Sequence, residues 1–369
     1  MLSTRFRLAA AASVFVLGAA AAACGGGEEG ASGPQAECEV GQLDGPLRIF
    51  NWSEYIDEEQ VIEFATQFGI EYSVDAFESN ESMQALVAAG NSNFDLVVPS
   101  DYMVGIMIAG GHLMRLDPDA IPNVVNINET FRDPNFDPGA EHSVPYQWGY
   151  TGIAVNLEEM EPDFPRSWSL IFGPDAATYS QRISVLNSAR DALGAALLYL
   201  GYSVNTTSQD ELDEAAELIS TSKKNILAFD IDAADDFLLS GDTVIAHSYS
   251  GQIYAAAVAT ENPEKYEFFV PKEGGIRWVD NFAIPFDAPH PCTAHTFINW
   301  MLQGEQHARL TNWNAYGSPN DAAMEFLDPG IADSVSSDRL AGPADLIAGL
   351  IDTGDFEIQY SDAFIRAKG

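Results

Sequence analysis

Two short segments of the chain place an indole two residues before a carboxylate. Trp52 precedes Glu54 directly after a predicted strand, and Trp278 precedes Asp280 within a β-like run. In extended backbone, residues i and i+2 point the same way, so each segment presents an indole and a carboxylate side by side. Such a pair suits an ammonium group, because the carboxylate supplies charge and hydrogen bonds while the indole face attracts the cation. Two pairs on opposite sides of a cleft would hold both ends of a dication.

Further polar side chains follow predicted strands or begin predicted helices. Ser100 and Tyr102 come after the apolar segment 94–98. Asp191 falls near the start of a predicted helix, where the helix dipole favours a carboxylate. Ligands of α/β sheets bind at the carboxyl ends of strands and between domains. We therefore expect these side chains at the edge of the same cleft.

Motifs typical of enzymes and metal sites are missing from the sequence. It has no Gly-x-Ser-x-Gly elbow, no His-Glu-x-x-His and no phosphate-binding Gly-x-x-x-x-Gly-Lys. His290, Cys292 and His295 lie close together, but their spacing matches no known set of metal ligands. We expect no catalytic residue, no metal and no cofactor.

The elements that would position these residues alternate between strand and helix. The predicted strands are 47–50, 71–77, 94–98, 152–156, 183–186, 244–247 and 266–270, and the predicted helices are 57–68, 82–89, 100–109, 191–200 and 212–220. This alternation indicates an α/β fold with a mainly parallel sheet. It occurs in two blocks, which predicts two lobes linked near Tyr150 and Asp280 with a cleft between them.

The charge of the chain excludes some classes of partner. In 369 residues, 17 Lys and Arg face 55 Asp and Glu, a net charge of −38. Binding nucleic acid or anionic lipid headgroups needs clustered basic residues, so we expect neither partner. Disorder is not expected either, because 46% of the residues are hydrophobic. Most of the acidic residues are predicted to form a solvated surface.

The first residues are typical of an export signal. Arg5 and Arg7 precede an apolar run over 8–23 that is short for a membrane span, and small residues lead to Cys24. We interpret 1–23 as a lipoprotein signal peptide, Cys24 as the lipidated residue and 24–42 as a flexible tether. The alternative is an ordinary signal peptide beside an incidental cysteine. Removing 1–23 discards two bases and no acid, which makes the charge −40.

Two cysteines remain after the leader. In an exported, oxidising setting, Cys38 and Cys292 favour a disulfide that pins the start of the folded domain to a distant segment. Two separate buried thiols are the alternative.

Six segments, in the same order along the chain, resemble those of bacterial polyamine-binding proteins, the spermidine/putrescine-binding components of ABC importers. They are Asn-Trp-Ser-Glu-Tyr at 51–55, Phe-Asp-Leu-Val-Val-Pro-Ser at 94–100, Val-Pro-Tyr-Gln-Trp-Gly at 144–149, Leu-Gly-Tyr-Ser-Val-Asn-Thr-Thr at 200–207, Pro-Lys-Glu-Gly-Gly-Ile-Arg-Trp-Val-Asp at 271–280 and Ala-Tyr-Gly-Ser-Pro-Asn at 315–320. The resemblance runs from about Leu47 to Asn320, and the last forty residues match poorly.

This resemblance implies a type II periplasmic-binding-protein fold, two α/β lobes with the ligand in the inter-lobe cleft. Lobe 1 would comprise 43–151 and 279–324, and lobe 2 would comprise 152–278 and 325–369. Aromatic side chains would line the aliphatic stem of the ligand and acids would take its ammonium ends. The residues implied in binding are Trp52, Ser53, Glu54, Tyr55, Ser100, Tyr102, Asp191, His247, Trp278, Asp280 and Tyr316.

Three positions depart from the family pattern. Ser188 stands where spermidine binders carry a carboxylate, and Ser250 stands where putrescine binders carry an acid. His247 stands where both groups place a tryptophan. The cleft is therefore expected to hold fewer acids than either group, which leaves the length and charge of the ligand open.

The sequence thus predicts a lipid-anchored, periplasmic or extracytoplasmic, monomeric protein that delivers a polyamine, putrescine or spermidine, to the permease and ATPase of an ABC importer without covalent chemistry. Another small cationic amine, such as agmatine or an opine-like compound, is an alternative ligand. A secreted enzyme or a ligand-sensing lipoprotein is the alternative from a different class.

Overall fold

A computed structural model describes residues 34–334 and 347–369 of the chain. The predicted signal peptide and the predicted lipidation site at Cys24 lie outside the described residues. Within the described residues, no helix has the length and apolar character needed to cross a membrane.

The strands of the described part join in one mixed sheet. They are β1 (Leu47–Trp52), β2 (Tyr72–Phe77), β3 (Leu96–Val97), β4 (Ser143–Asn156), β5 (Ile183–Val185), β6 (Ile226–Phe229), β7 (Ile245–Tyr249), β8 (Tyr266–Phe269), β9 (Gly275–Ala283) and β10 (Ile347–Gly349). The order is β2-β1-β3-β9-β4-β7-β5-β6, with β10 beside β9 and β8 beside β4. β1 is parallel to β2 and β3, and β5 is parallel to β6 and β7. The sheet is parallel at both ends, as predicted, but its centre is antiparallel.

Helices cover both ends of the sheet. They are α1 (Glu58–Phe68), α2 (Asn80–Ala88), α3 (Asp101–Ala109), α4 (Ser169–Phe172), α5 (Ala189–Leu200), α6 (Gln209–Ser222), α7 (Ala234–Ser240), α8 (Ser250–Val258), α9 (Pro291–Met301), α10 (Gly304–Asn314), α11 (Pro329–Ser334) and α12 (Glu357–Lys368). Side-chain caps fix several starts: Asp57 accepts from Glu59 N at α1, and Ser188 accepts from Asp191 N at α5.

Separate apolar cores define two lobes. In the first lobe, Phe64 of α1 packs edge-on against Phe297 of α9, beneath β1 and β3, with ring centroids 5.0 Å apart. In the second lobe, Trp168 and Leu193 belong to a core that β5, β7, α5, α6 and α12 enclose. Each lobe therefore buries its own apolar surface, which is the main stabilising term in folding.

Two strands pass from one lobe to the other and explain the antiparallel centre. β9 pairs with β3 in the first lobe, and β4 pairs with β7 and β8 in the second. β4 and β9 also pair with each other along most of their length, with Trp148 opposite Val279. The chain passes from the first lobe to the second in β4 and returns in β9, so these two strands run antiparallel. It enters the second lobe again before α12, whose Tyr360 and Phe364 lie in that core.

A disulfide closes the largest loop of the described chain. Cys38 and Cys292 are bonded, with Cα atoms 5.4 Å apart, although they are 254 positions apart in sequence. Asp44 lies beside this bond and accepts hydrogen bonds from the backbone N–H groups of Cys292 (3.1 Å) and Thr293 (3.0 Å). The segment before β1 is thus held to the first turn of α9 by one covalent bond and a carboxylate cap.

Candidate functional site

A cavity of about 660 Å³ lies between the two lobes. Its wall is built from the carboxyl ends of strands in both lobes and from the crossing strand β9. Ten of the residues that the sequence predicted for binding line it: Trp52, Ser53, Glu54, Tyr55, Ser100, Tyr102, Asp191, Trp278, Asp280 and Tyr316. The cavity has the size of pockets that hold small organic ligands, roughly 300–1,000 Å³.

Four aromatic rings surround one point of this wall, and we call them the aromatic box: Tyr55, Tyr249, Trp278 and Tyr316. Trp278 is central, with ring-centroid distances of 5.2 Å to Tyr316, 5.8 Å to Tyr249 and 6.4 Å to Tyr55. All three contacts are edge-on, the arrangement that aromatic quadrupoles favour. The box offers the negative faces that attract an organic cation.

Two glycines leave room for the rings of the aromatic box. Gly149 lies opposite Trp278 in the sheet, where an added Cβ would come within 2.6 Å of the indole. At Gly251 an added Cβ would come within 2.3 Å of the Tyr316 ring. Any larger residue at either position would displace a ring. The two glycines therefore allow the backbone to lie directly against the rings of the aromatic box.

Asp191 forms one acidic pole of the cavity. Its carboxylate accepts hydrogen bonds from Thr151 Oγ1 (2.8 Å), Ser188 Oγ (2.6 Å) and the Tyr249 hydroxyl (3.2 Å). Burial raises the pKa of Asp191, and these three neutral donors oppose that shift. Within the part of the chain that the structure describes, no basic group forms an ion pair with it.

Asp280 forms the other pole, on β9 two residues after Trp278. Its side chain is 6% exposed, and among the described residues its Oδ1 has no hydrogen-bond partner. Burial raises the pKa of Asp280 to about 7, against the smaller opposing effect of the Ser100 and Tyr55 hydroxyls. A buried carboxylate oxygen without a partner costs free energy, and a cation in the cavity would remove that cost.

The first-lobe wall is held by hydrogen bonds around Asn80. Its Nδ2 donates to Ser100 Oγ (3.0 Å) and to the Tyr102 hydroxyl (3.2 Å), and that hydroxyl donates to Glu81 (3.0 Å). Trp52 Nε1 donates to Val98 O (3.0 Å), which fixes the indole at the end of β1. These side chains are therefore oriented toward the cavity without any ligand.

Comparison with known proteins places this geometry in a family. Residues 59–338 match the model of the bacterial extracellular solute-binding proteins. The chain belongs to this family. It is 34% identical over 291 residues to the putrescine/cadaverine-binding protein of Pseudomonas aeruginosa, covering 77% of this chain and 82% of that one. It is 33% identical over 323 residues to the spermidine/putrescine-binding periplasmic protein of Salmonella typhimurium, covering 87% and 91%.

Solved structures of related solute-binding proteins share the fold. The TpPotD lipoprotein of Treponema pallidum is 32% identical and superposes with a TM-score of 0.76, covering 87% of this chain and 99% of that one. The predicted two-lobed α/β fold is thereby confirmed.

His247 is the predicted binding residue of this solute-binding protein that does not line the cavity. Its side chain is fully buried in the second lobe, with its ring 5.2 Å from that of Trp168. Burial lowers the pKa of His247 to about 3, so the imidazole is neutral. The placement of His247 in the cleft was wrong because β7 continues two residues further, and Tyr249 at its end joins the aromatic box.

The position of Glu54 also differs from the prediction that strand geometry gave. It follows β1 in a left-handed turn, with φ at 49°, and is exposed at the cavity. The strand alternation therefore explains the pairing of Trp278 with Asp280, both within β9, but not that of Trp52 with Glu54.

Several cavity residues of this solute-binding protein were not predicted. Asp232 and Asp235 line the cavity between β6 and the first turn of α7, and Gln252 of α8 lies beside them. Their position after the carboxyl end of a parallel strand was a usable signal. However, acidic residues are so frequent here that the signal could not be separated from a solvated surface. The expectation that the cleft holds fewer acids than those of spermidine or putrescine binders stays a prediction, and Asp232 and Asp235 are two acids that it did not count.

Arg190 brings a positive charge close to the cavity, but that charge is already paired. Its guanidinium lies 2.6 Å from Glu357 on α12 and 2.8 Å from Asn205 Oδ1. It also lies over the rings of Tyr360 (4.4 Å) and Tyr102 (5.2 Å). Arg190 thus ties the C-terminal helix and the first lobe to the start of α5 and leaves the cavity acidic.

Proposed function

We propose that this solute-binding protein captures a polyamine, putrescine or spermidine, between its lobes and delivers it to the permease of an ABC importer, without covalent chemistry. One observation carries the proposal. Two buried carboxylates, Asp191 and Asp280, flank an aromatic box, and no described basic group pairs with either. The names of the relatives, which specify putrescine, cadaverine and spermidine, support the same ligand class.

Binding would transfer the ammonium groups of the ligand from water to the two carboxylates. At an effective dielectric constant near 20, opposite charges about 4 Å apart gain roughly 4 kcal/mol before desolvation costs. Cation–π contact with the aromatic box adds about 0.5–2 kcal/mol. A micromolar dissociation constant corresponds to about −8 kcal/mol, which two such contacts and the covered methylenes can supply.

The crossing strands β4 and β9 would act as the hinge for closure of lobe 1 (43–151, 279–324) on lobe 2 (152–278, 325–369). Closure would bring Asp191 of the second lobe toward the first-lobe wall, and the permease would recognise the closed form. Export and diacylation at Cys24 would leave a monomer tethered outside the cell membrane, in keeping with the related lipoprotein of Treponema pallidum.

The proposal is tested by thermal unfolding and calorimetry with a ligand panel. Putrescine, cadaverine, spermidine and agmatine are compared with 1,4-butanediol, which has the putrescine chain without its charges. A ligand at a hundred times its dissociation constant should stabilise the folded state by about 2.7 kcal/mol. A rise in the unfolding temperature with agmatine alone would assign agmatine, and not a polyamine, as the ligand. Equal rises with putrescine and with butanediol would contradict the proposal. Hydrolysis of any compound in the panel would favour an enzyme.

Affinity for the amine should fall on acidification. Because burial raises the pKa of Asp280 to about 7 in the free protein, the carboxyl becomes protonated below that pH and must lose its proton before it pairs with an ammonium. Each pH unit below about 7 should weaken binding by up to roughly tenfold. Calorimetry in buffers of different ionisation enthalpy measures the released proton, and equal affinities at about pH 6 and pH 8 would be inconsistent with this mechanism.

The stability of the ligand-free protein should change in the opposite direction. Burial raises the pKa values of both Asp280 and Asp101 to about 7. Between the unfolded pKa near 4 and this value, the folded state binds protons that the unfolded state does not, so these two groups make the free energy of unfolding rise as pH falls. Denaturant titrations at about pH 5.5 and pH 7.5 measure this free energy of unfolding. The difference between the two pH values should be smaller in Asp280→Asn than in the unaltered protein.

A further inference from the structure

Four carboxylates line the outer part of the cavity, and we call them the outer acidic cluster: Glu54, Glu78, Asp232 and Asp235. Glu54 and Glu78 follow β1 and β2 in the first lobe, while Asp232 and Asp235 follow β6 in the second. The cluster therefore includes groups from both sides of the cleft.

The four charges of the outer acidic cluster act on one another across the cleft. Partial burial raises the pKa of Asp232, and the charges of Asp230, Glu54 and Glu78 raise it further. Partial burial likewise raises the pKa of Asp235, with Glu54 again contributing. Such an arrangement of like charges is unfavourable until a cation lies between them.

The structure supplies no cation of its own for the outer acidic cluster. Within the described ranges, none of its four members forms an ion pair. The two basic residues that line the cavity are engaged elsewhere. Arg190 pairs with Glu357, and Lys368 donates to Asn187 and lies over Phe364 at 4.5 Å.

The outer acidic cluster is continuous with the aromatic box. Gln252 Nε2 donates to Asp235 Oδ1 (3.1 Å), and Gln252 follows Tyr249 at the start of α8. Burial raises the pKa of Tyr316, and the negative charges of Asp280, Asp235 and Asp232 all raise it further. At the inner end of the same cavity, the buried Oδ1 of Asp280 lacks a partner among the described residues. One elongated ligand could therefore meet the inner poles and the outer cluster together.

A short diamine would use only part of this arrangement. Held between Asp191 and Asp280, it would leave the outer acidic cluster and much of the 660 Å³ cavity to water. We infer that the outer acidic cluster binds an additional ammonium group, so that Asp232 and Asp235 give this protein a preference for a triamine or longer polyamine over a diamine. This inference rests on the proposed function and adds the selection of ligand length to it.

The test compares spermidine with putrescine by calorimetry on the full domain. The unaltered protein should bind spermidine at least about tenfold more tightly than putrescine, the effect expected of one further charge-assisted contact. The double variant Asp232→Asn, Asp235→Asn should lose about tenfold in spermidine affinity and less than about threefold in putrescine affinity. Asp236→Asn is the matched control, because this exposed residue of α7 does not line the cavity.

The outcomes separate this inference from the function on which it rests. If the unaltered protein binds neither amine, the proposed function fails. If putrescine binds but spermidine is not preferred, or if the double variant weakens both ligands equally, the inference alone is overturned. The two single variants are measured as well, since each should give part of the loss. Thermal unfolding without ligand should show no destabilisation, because the substitutions remove like-charge repulsion.

Discussion

The substitution Asp280→Asn should weaken polyamine binding by about a hundredfold, because it removes a charge from a buried ion pair. Asp280 lies at the inner end of the cavity, 6% exposed, with one oxygen unpartnered among the described residues. Asparagine keeps the shape of the side chain but not its charge, so a bound ammonium would be buried beside a neutral amide. The loss should be the same for putrescine and spermidine, since both place an ammonium there.

Asp101→Asn is the matched control for this experiment. Asp101 is a buried carboxylate whose pKa burial also raises to about 7, but it does not line the cavity. Its substitution should leave affinity within about threefold, as expected for a group outside the contact surface. Equal losses in both variants would show that Asp280 acts through the general field of the site. An unchanged affinity in Asp280→Asn would contradict the proposed ligand contact.

Trp278→Leu should weaken binding by about thirtyfold, since it removes a cation–π surface together with the packing around it. The indole contacts three other rings of the aromatic box. Leucine fills part of the volume but offers no negative face, and Trp278→Phe should recover part of the lost affinity. The effect should be mainly on the rate of dissociation, as for most contacts in one interface.

Trp148→Leu controls for the loss of a tryptophan from the same region. Trp148 lies opposite Val279 on the neighbouring strand and is half-buried, but it does not line the cavity. Both substitutions should lower stability, and only Trp278→Leu should change affinity in calorimetry. If Trp278→Phe binds no better than Trp278→Leu, the indole acts by packing alone and not through its π face.

Where local sequence determines side-chain direction, the site was predictable. Trp278 and Asp280 sit two apart in β9, so strand geometry alone places both in the cavity. Ser100 follows β3, and the carboxyl end of a strand in such a sheet faces the ligand. In each case a regularity of a few residues was enough, and no distant contact had to be known.

The residues that were missed depend on where a strand ends or on distant partners. His247 and Tyr249 share a face of β7, and only the end of the strand decides which of them reaches the cleft. The position of the Arg190 side chain is fixed by its ion pair with Glu357. That residue lies 167 positions away, on a helix that the sequence did not predict. No local pattern carries that information.

The helices that were not predicted have a physical reason of their own. Nearly every residue of α9 is buried, including His295 and Thr293. Its polar side chains bond to distant segments of the chain: Thr293 to Asp44, His295 to the backbone N–H of Asp117, and Thr296 to Gln42 O. The sequence around α9 gives no sign of these partners.

The bond between Cys38 and Cys292 also determines how the domain carries mechanical load. In the tethered protein proposed above, a pull on the segment before Cys38 would pass through the disulfide to Cys292, in the first turn of α9. β1 begins nine residues later and lies in the interior of the sheet between β2 and β3. Such a pull would therefore reach α9 before it loads the hydrogen bonds of β1.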